Sequence, residues 1–281
     1  MSAPKVVAVC PVLNPPATTP ETLATIRQQV ADLVVVDDGS SVPVRYQGTD
    51  MIRLPENRGI AAALNRGVAA AVAKGATHVL TVDQDSRFPA GYVAALLSCE
   101  SRARRQGLRP GAVGAVEFSG LRHKGRFRDG VLVVAESIQS GTLFPVEALS
   151  ELGGFDEELV IDAVDTDACL RLQELGYDVC VAPAAFDHSL GQGHFVSLLG
   201  RKVWSSKHPP FRRYYITRNG LAMLHRYGLR HPRWAVVYAR KLAVATLLAA
   251  RDPDTHQRSA IRSGLSDGWH GRLGKQRHAI T

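Results

Sequence analysis

The chain has only four cysteines in 281 residues, at positions 10, 99, 169 and 180, and none stand in a C-x-x-C or other metal-ligand spacing. No secretory leader is expected, because the first apolar run, Val6 to Val9, is too short and has no cleavage pattern. These two absences predict a reduced, cytoplasmic protein. No apolar run is long enough for a membrane span: the longest, Trp234 to Ala250, is interrupted by Arg240 and Lys241 and falls short of the roughly 20 residues required. Acidic residues are the minority, 26 against 34 Lys and Arg, and the resulting charge of +8 favours an anionic partner: nucleotide, nucleic acid or an acidic membrane face. An RNA-binding aromatic motif and a helix-turn-helix are both missing, and acids at three strand ends would repel phosphates unless a metal is present, so no nucleic-acid partner is expected. The length is sufficient for one large α/β domain, or a domain with a helical appendage, and the composition does not suggest disorder.

What is present centres on Val79 to Phe88, VLTVDQDSRF. Val79, Leu80 and Val82 read as a buried strand that runs directly into Asp83 and Asp85. Residues two apart on a strand point to the same side, so the two acids converge on one cation or polar ligand if strand geometry persists. Paired hard oxygens at a strand's carboxyl end suit Mg²⁺ or Mn²⁺; an Asx turn closing the strand is the plainer alternative.

The same pattern occurs earlier. A strand at Lys5 to Val9 leads into the loop PVLNPPATTP and a helix from about Glu21 to Val30, and a second apolar strand, Leu33 to Val36, ends in Asp37, Asp38, Gly39 and Ser40. This is a βαβ unit, which brings both strand ends to the ligand-binding edge of a sheet and sets Asp37 and Asp38 beside Asn14, where a carboxylate can accept from a base imide or ribose hydroxyls. A polar turn explains DDGS equally well. PENRG opens an alanine-rich helix from about Ile60, where Asn57, Arg58 and Gly59 either meet an anion or simply cap. Asn65 interrupts the apolar pattern of that helix and is left open.

Further on, a helix starts at Pro89, strands fall at Ala112 to Phe118 and Val131 to Ala135, and HKGRFRDG between them reads as a solvated hairpin tip. A second acidic cluster, FDEELVIDAVDTDACLRLQELG, places Asp165 and Asp167 in the first turn of a helix, where capping accounts for Asp162 and Asp167. His188 in DHSLG is either a metal ligand or a loop histidine. From Arg212 the chain turns to basic and aromatic helices, and Trp234, Tyr238 and Leu242 beside Arg240 and Lys241 either meet a lipid interface or pack on the core.

In their order, PVLN, VVVDDGS, ENRGIAAALNRG, TVDQDS, GGFDEEL with VDTDACLRLQELG, and DHSLG resemble the inverting nucleotide-sugar glycosyltransferases of family 2, over about Val6 to Asn219. DQDS, IDAVDTD and YYITRN look most like bacterial rhamnosyltransferases that use dTDP-L-rhamnose. The resemblance implies the GT-A fold: an α/β, Rossmann-like, mixed and mostly parallel sheet over residues 1–210, with a basic, aromatic helical region over 211–281. It further implies a nucleotide-sugar site of Pro11, Asn14, Asp37, Asp38, Asn57, Asn65, Asp83 and Gln84. Asp38 or Asp37 would contact the base, Asp83 the ribose and phosphate, and Asp85 with His188 would hold Mg²⁺ or Mn²⁺ on the diphosphate. The family's general base is the second acid of a Glu-Asp pair; here the pair reads Val164-Asp165, so Asp165 matches the base and the preceding acid is missing. A glycan or lipid-linked acceptor, and peripheral association with the inner face of the cell membrane, complete the expectation. UDP- or GDP-sugar transfer within the same family, or nucleotidyl transfer with release of pyrophosphate, are the alternatives.

Overall fold

A computed structural model describes residues 3–188, 193–198, 201–206, 208–251 and 254–276. The chain divides into two compact units, residues 1–157 with 164–189, and residues 158–163 with 190–281.

In the first unit the elements alternate as the apolar runs predict: β1 (Val6–Val12), α1 (Thr19–Arg27), β2 (Asp32–Asp37), β3 (Asp50–Arg53), α2 (Ile60–Ala73), β4 (His78–Thr81) and α3 (Tyr92–Arg105). There follow β5 (Pro110–Phe118), β6 (Leu121–Arg122), β7 (Arg126–Arg128), β8 (Val131–Val133), β9 (Thr142–Pro145), α4 (Val146–Leu152), α5 (Val164–Glu174) and β10 (Asp178–Phe186). Ten strands form one mixed sheet among the described residues, in the order β3-β2-β1-β4-β9-β5-β10-β8-β7, with β6 on β5. β3, β2, β1 and β4 are parallel, whereas β9 runs against both β4 and β5. Every residue of β1 is buried, as a central parallel strand covered on both faces requires. One face carries Ala8, Cys10, Leu33 and Val35 against Leu23 and Ile26 of α1 and Val93 and Leu96 of α3. The winding runs from β1 out to β3 and then returns to β4 on the other side of β1, so β1 and β4 flank the switch point where ligands of such sheets bind.

Several boundaries differ from the sequence reading. β1 extends through Pro11, which was expected in the loop. Its pairing with β2 runs on to Val12, but its pairing with β4 ends at Val9 opposite Thr81, so the missing N–H of Pro11 falls on the β4 side, where that strand has stopped. β4 stops at Thr81, and Asp83 and Asp85 stand on a turn rather than on a strand end. α3 begins at Tyr92, after a left-handed Gly91, and not at Pro89. β10 continues to Phe186, accommodating Pro183 in a register shift between Ala182 and Ala185. The basic excursion forms strand pairs, with Asp129 and Gly130 turning β7 into β8.

The second unit contains the hairpin β11 (Gly193–Leu198) and β12 (Arg201–Ser206), then α6 (Pro210–Tyr227), α7 (Pro232–Ala250) and α8 (Thr255–Trp269). Gly264 and Gly268, one turn apart on α8, let it lie against the α6 backbone; a Cβ at either would come within 2.7 Å of the Tyr214 or Arg218 carbonyl. Arg218 and Asn219 are fully buried on α6 and turned onto residues 158–162. The Asn219 amide donates to the carbonyls of Leu159, Ile161 and Asp162 at 2.9, 2.8 and 2.9 Å, and Arg218 donates to those of Glu158 and Leu159 at 3.0 and 3.2 Å. That segment needs holding, because Val160, Asp162 and Ala163 all have left-handed backbone (φ 65, 64 and 63°), which non-glycine residues resist.

Candidate active site

The loops that leave β1, β2 and β4 are tied to one another at the switch point. Asn14, itself left-handed at φ 43°, donates its N–H to Ser40 Oγ at 2.9 Å and accepts from Ser41 N–H at 2.9 Å. Gln84 pairs with the backbone of Leu13, accepting its N–H at 2.9 Å, and so joins the turn after β4 to the loop after β1.

Asp37 and Asp38 are buried and turned inward. Asp37 accepts from Ser40 N–H at 2.8 Å and from the Arg53 guanidinium at 2.5 Å. Burial pushes its carboxyl up, but the bonds from Ser40 and Arg53 outweigh this and hold it below its ordinary value. Asp38 accepts the N–H of Arg58 at 2.7 Å and of Gly59 at 2.9 Å, so the amino end of α2, considered as an anion site from sequence, already holds a carboxylate of its own chain. The Asn57 side chain also accepts from Gly59 N–H, at 3.0 Å. Gly39 makes the arrangement possible: its φ is 77°, and a Cβ there would come to 2.5 Å from Asn57 N. Asn65 is drawn elsewhere. Its amide accepts from Phe155 N–H at 2.8 Å and donates to Phe155 O and Glu157 at 2.9 and 3.0 Å, which braces the loop ahead of α5.

Beside the β4 turn, Asp83, Asp85 and His188 converge, with one ligand atom of each within 4.8 Å of the others. His188 Nδ1 stands 3.6 Å from Asp85 Oδ1 and 3.9 Å from Asp83 Oδ2, and all three side chains are partly exposed. Ser189, Leu190 and Gly191 of the DHSLG stretch lie outside the described residues. Two carboxylates and an imidazole around an open gap make a donor set suited to a divalent cation that keeps water or phosphate oxygens in its remaining positions. Cys10, below these acids, is no nucleophile: burial first, and the charges of Asp83 and Asp85 next, push its thiol well above the usual value.

α5 separates its two first-turn acids. Asp167 is fully buried and bound to Arg171 at 2.7 Å, and Arg171 also donates to the carbonyls of Leu152 and Gly154, so the pair anchors the Gly153-Gly154 turn. Asp165 is half-buried and accepts Thr166 N–H at 2.8 Å. In the second unit Asp162 pairs with Arg212 at 3.1 Å, while burial pushes its carboxyl up. Sequence reasoning missed four partners of these site residues: Arg53 of Asp37, Arg171 of Asp167, Ser140 of Asp83 and Ser86 of His188. Of them, Arg171, inside VDTDACLRLQELG, and Ser86, inside DQDS, stood in a motif.

Residues 7–98 match the family described as Glycosyl transferase family 2. Over 238 residues the chain is 30% identical to the dTDP-rhamnosyl transferase RfbF of Shigella flexneri, spanning 78% of this chain and 79% of that protein. The chain belongs to glycosyl transferase family 2. Solved glycosyltransferases carry the same GT-A fold. A crystal structure of GalNAc-T7 with UDP, GalNAc and Mn²⁺ superposes with a TM-score of 0.55 at 12% identity, over 89% of this chain and 58% of that one. S. aureus TarS does so with a TM-score of 0.54 at 14% identity, over 95% of this chain and 49% of that one. This glycosyltransferase thus spans about half the length of those solved chains. Its DxD turn, at Asp83 to Asp85, follows the strand that flanks the switch point.

Proposed function

We propose that the enzyme transfers L-rhamnose from dTDP-L-rhamnose to a hydroxyl of a glycan or glycolipid acceptor in cell-surface polysaccharide assembly, inverting the anomeric centre. The observation that carries the donor is the 30% identity to the dTDP-rhamnosyl transferase across 78% of the chain. The nucleotide occupies the crevice between β1 and β4, lined by Pro11, Asn14, Asn57 and Gln84. Asp37 or Asp38 meets the thymine as a hydrogen-bond acceptor. Asp83 approaches the ribose and phosphate, and Asp85 and His188 would hold Mg²⁺ or Mn²⁺, whose positive charge would be available to the diphosphate leaving group. Asp165 takes the proton of the acceptor hydroxyl while that oxygen attacks the anomeric carbon from the face opposite the leaving group; the products are the glycoside and dTDP. Asn65 shapes the loop before α5.

Calorimetric titration and turnover with a panel of sugar nucleotides tests the donor. dTDP-L-rhamnose is expected to bind and turn over in preference to UDP- and GDP-sugars. Tight binding of a UDP-sugar with none of dTDP-rhamnose would assign the chain to another branch of the family, and release of pyrophosphate would make it a nucleotidyltransferase.

A lipid-linked acceptor accords with α7. Trp234 is buried and stacked on Tyr238, and Leu242 lies against Gly220 of α6, so the aromatic stripe faces into the second unit. Val236, Val237 and Leu247 are exposed on the same helix with Arg240 and Lys241, Arg251 directly follows it, and α7 contains no acidic residue. Among the described residues no helix is long and apolar enough to cross a membrane. We place the enzyme in the cytoplasm at the inner membrane face; its four buried, unpaired cysteines suit a reducing compartment. Anionic headgroups contribute about 1 kcal/mol per nearby Lys or Arg, so the protein is expected to float with anionic liposomes at low salt and to dissociate at high salt. Absence of flotation at low salt would leave α7 with a packing role alone.

A further inference from the structure

At the ligand edge one buried polar group stands apart from its neighbours. Gln139 lies on the irregular stretch between β8 and β9, where its carbonyl accepts from Thr81 Oγ1 at 2.5 Å and the N–H of Gly141 donates to Thr81 O at 2.8 Å, so residues 139–141 run beside the carboxyl end of β4. Gln139 is 8% exposed, and its side-chain Nε2 is buried without a hydrogen-bond partner among the described residues. The polar side chains on either side of it are engaged. Ser137 Oγ lies 3.1 Å from Thr142 Oγ1, Thr142 Oγ1 donates to Ile138 O at 2.6 Å, and Ser140 Oγ accepts the N–H of Asp83 at 2.9 Å. A buried amide arm with no partner destabilises the fold that contains it, and such groups are rare in native proteins, so this one calls for a reason.

Its position supplies one. The same stretch reaches both ends of the proposed chemistry: Ser140 meets the DxD turn at Asp83, while Thr166 Oγ1 donates to Glu136 at 3.1 Å and Ser137 N–H to Cys169 Sγ at 3.4 Å, which sets residues 136–137 against the start of α5, where Asp165 stands. A sugar in transfer has to lie between those ends, because its anomeric carbon is bonded to the diphosphate on one side and attacked by the acceptor oxygen on the other. That ring carries neutral hydroxyls, and a hydroxyl both donates and accepts, so it satisfies the Gln139 amide by whichever arm it is met.

We propose that Gln139 is a specificity-determining residue whose buried side-chain amide hydrogen-bonds a hydroxyl of the transferred sugar. The inference rests on the reading of the Asp83–Asp85 turn as the diphosphate side and of Asp165 as the base, and it names the residue that recognises the sugar itself. The main-chain carbonyl of Gln139 is bound by Thr81 Oγ1 and by Thr142 N–H, so a substitution removes the amide and leaves those bonds in place. Gln139→Met keeps an unbranched side chain of similar length and deletes the buried polar arm. A residue retained for recognition and not for folding therefore gives a variant at least as stable as the wild type.

Calorimetric titrations of wild type, Gln139→Met and Gln139→Ala with dTDP and with dTDP-L-rhamnose, in saturating Mn²⁺, test this beside thermal melts of the three proteins. Both variants are expected to bind dTDP as the wild type does and dTDP-L-rhamnose about 10- to 100-fold more weakly, with the melting temperature of Gln139→Met retained or raised. Gln139→Ala carries the test if the Met variant does not fold. Wild-type affinity for dTDP-L-rhamnose in the variants, or an equal loss of dTDP, would overturn this inference alone. A wild type that binds neither ligand would overturn the donor reading and this inference with it.

Discussion

Asp85→Asn is expected to fold as the wild type does and to turn over no measurable donor. The Asp85 side chain is 36% exposed, and its removal takes a negative charge away from neighbouring Asp83, so nothing in the packing opposes the change. The loss falls on the chemistry. A cation at a departing diphosphate contributes several kcal/mol to the transition state, and each 1.36 kcal/mol is tenfold in rate, so a deficit of about 10³-fold or more follows. EDTA should silence the wild type to the same degree, and added Mn²⁺ or Mg²⁺ should restore the wild type but not the variant. Full activity in chelator would remove the metal from the mechanism.

The second large effect separates chemistry from binding at Asp165. Asn preserves the size of the side chain and the oxygen that accepts Thr166 N–H, so α5 should start where it does now. What it cannot do is take a proton. Turnover should fall by roughly 10²- to 10⁴-fold while donor and metal affinities stay near wild type. A capping role predicts almost no change in either stability or rate, since Asn is also a good cap. Near-normal turnover at saturating donor and acceptor would move the base elsewhere. Asp167 would be a poor candidate, buried as it is against Arg171, which leaves Asp162 as the next residue to test.

The parts of the fold legible in the sequence were those with a local period. The apolar runs at Val6, Leu33 and Val79 marked the three parallel strands around the switch point, and the acids behind them marked its ligand edge. Asp83, Asp85 and His188 entered through motifs and do converge. What stayed hidden were bonds between segments with no common period. Asp38 caps a helix that starts some twenty residues later, Ser140 reaches Asp83 across 57 residues, and Asn65 meets Phe155 across 90. Each of these polar side chains looked available from sequence because its partner was far away. The strand position of Pro11 was hidden for a related reason: it depends on where β4 stops, and β1 carries no trace of that.

The grip of Arg218 and Asn219 on residues 158–162 also limits how the gene can be divided. A product ending near residue 189 would retain the segment before α5 and lose every donor that α6 supplies to it. The carbonyls of Glu158, Ile161 and Asp162 would lose these donors, and three left-handed residues, each costing on the order of 1–3 kcal/mol, would lose the side chains that hold them. Recombination between relatives meets the same restriction. A chimera that exchanges the carboxyl-terminal helices has to bring its own residues 158–163 with them, so two stretches separated by α5 and β10 behave as one heritable block.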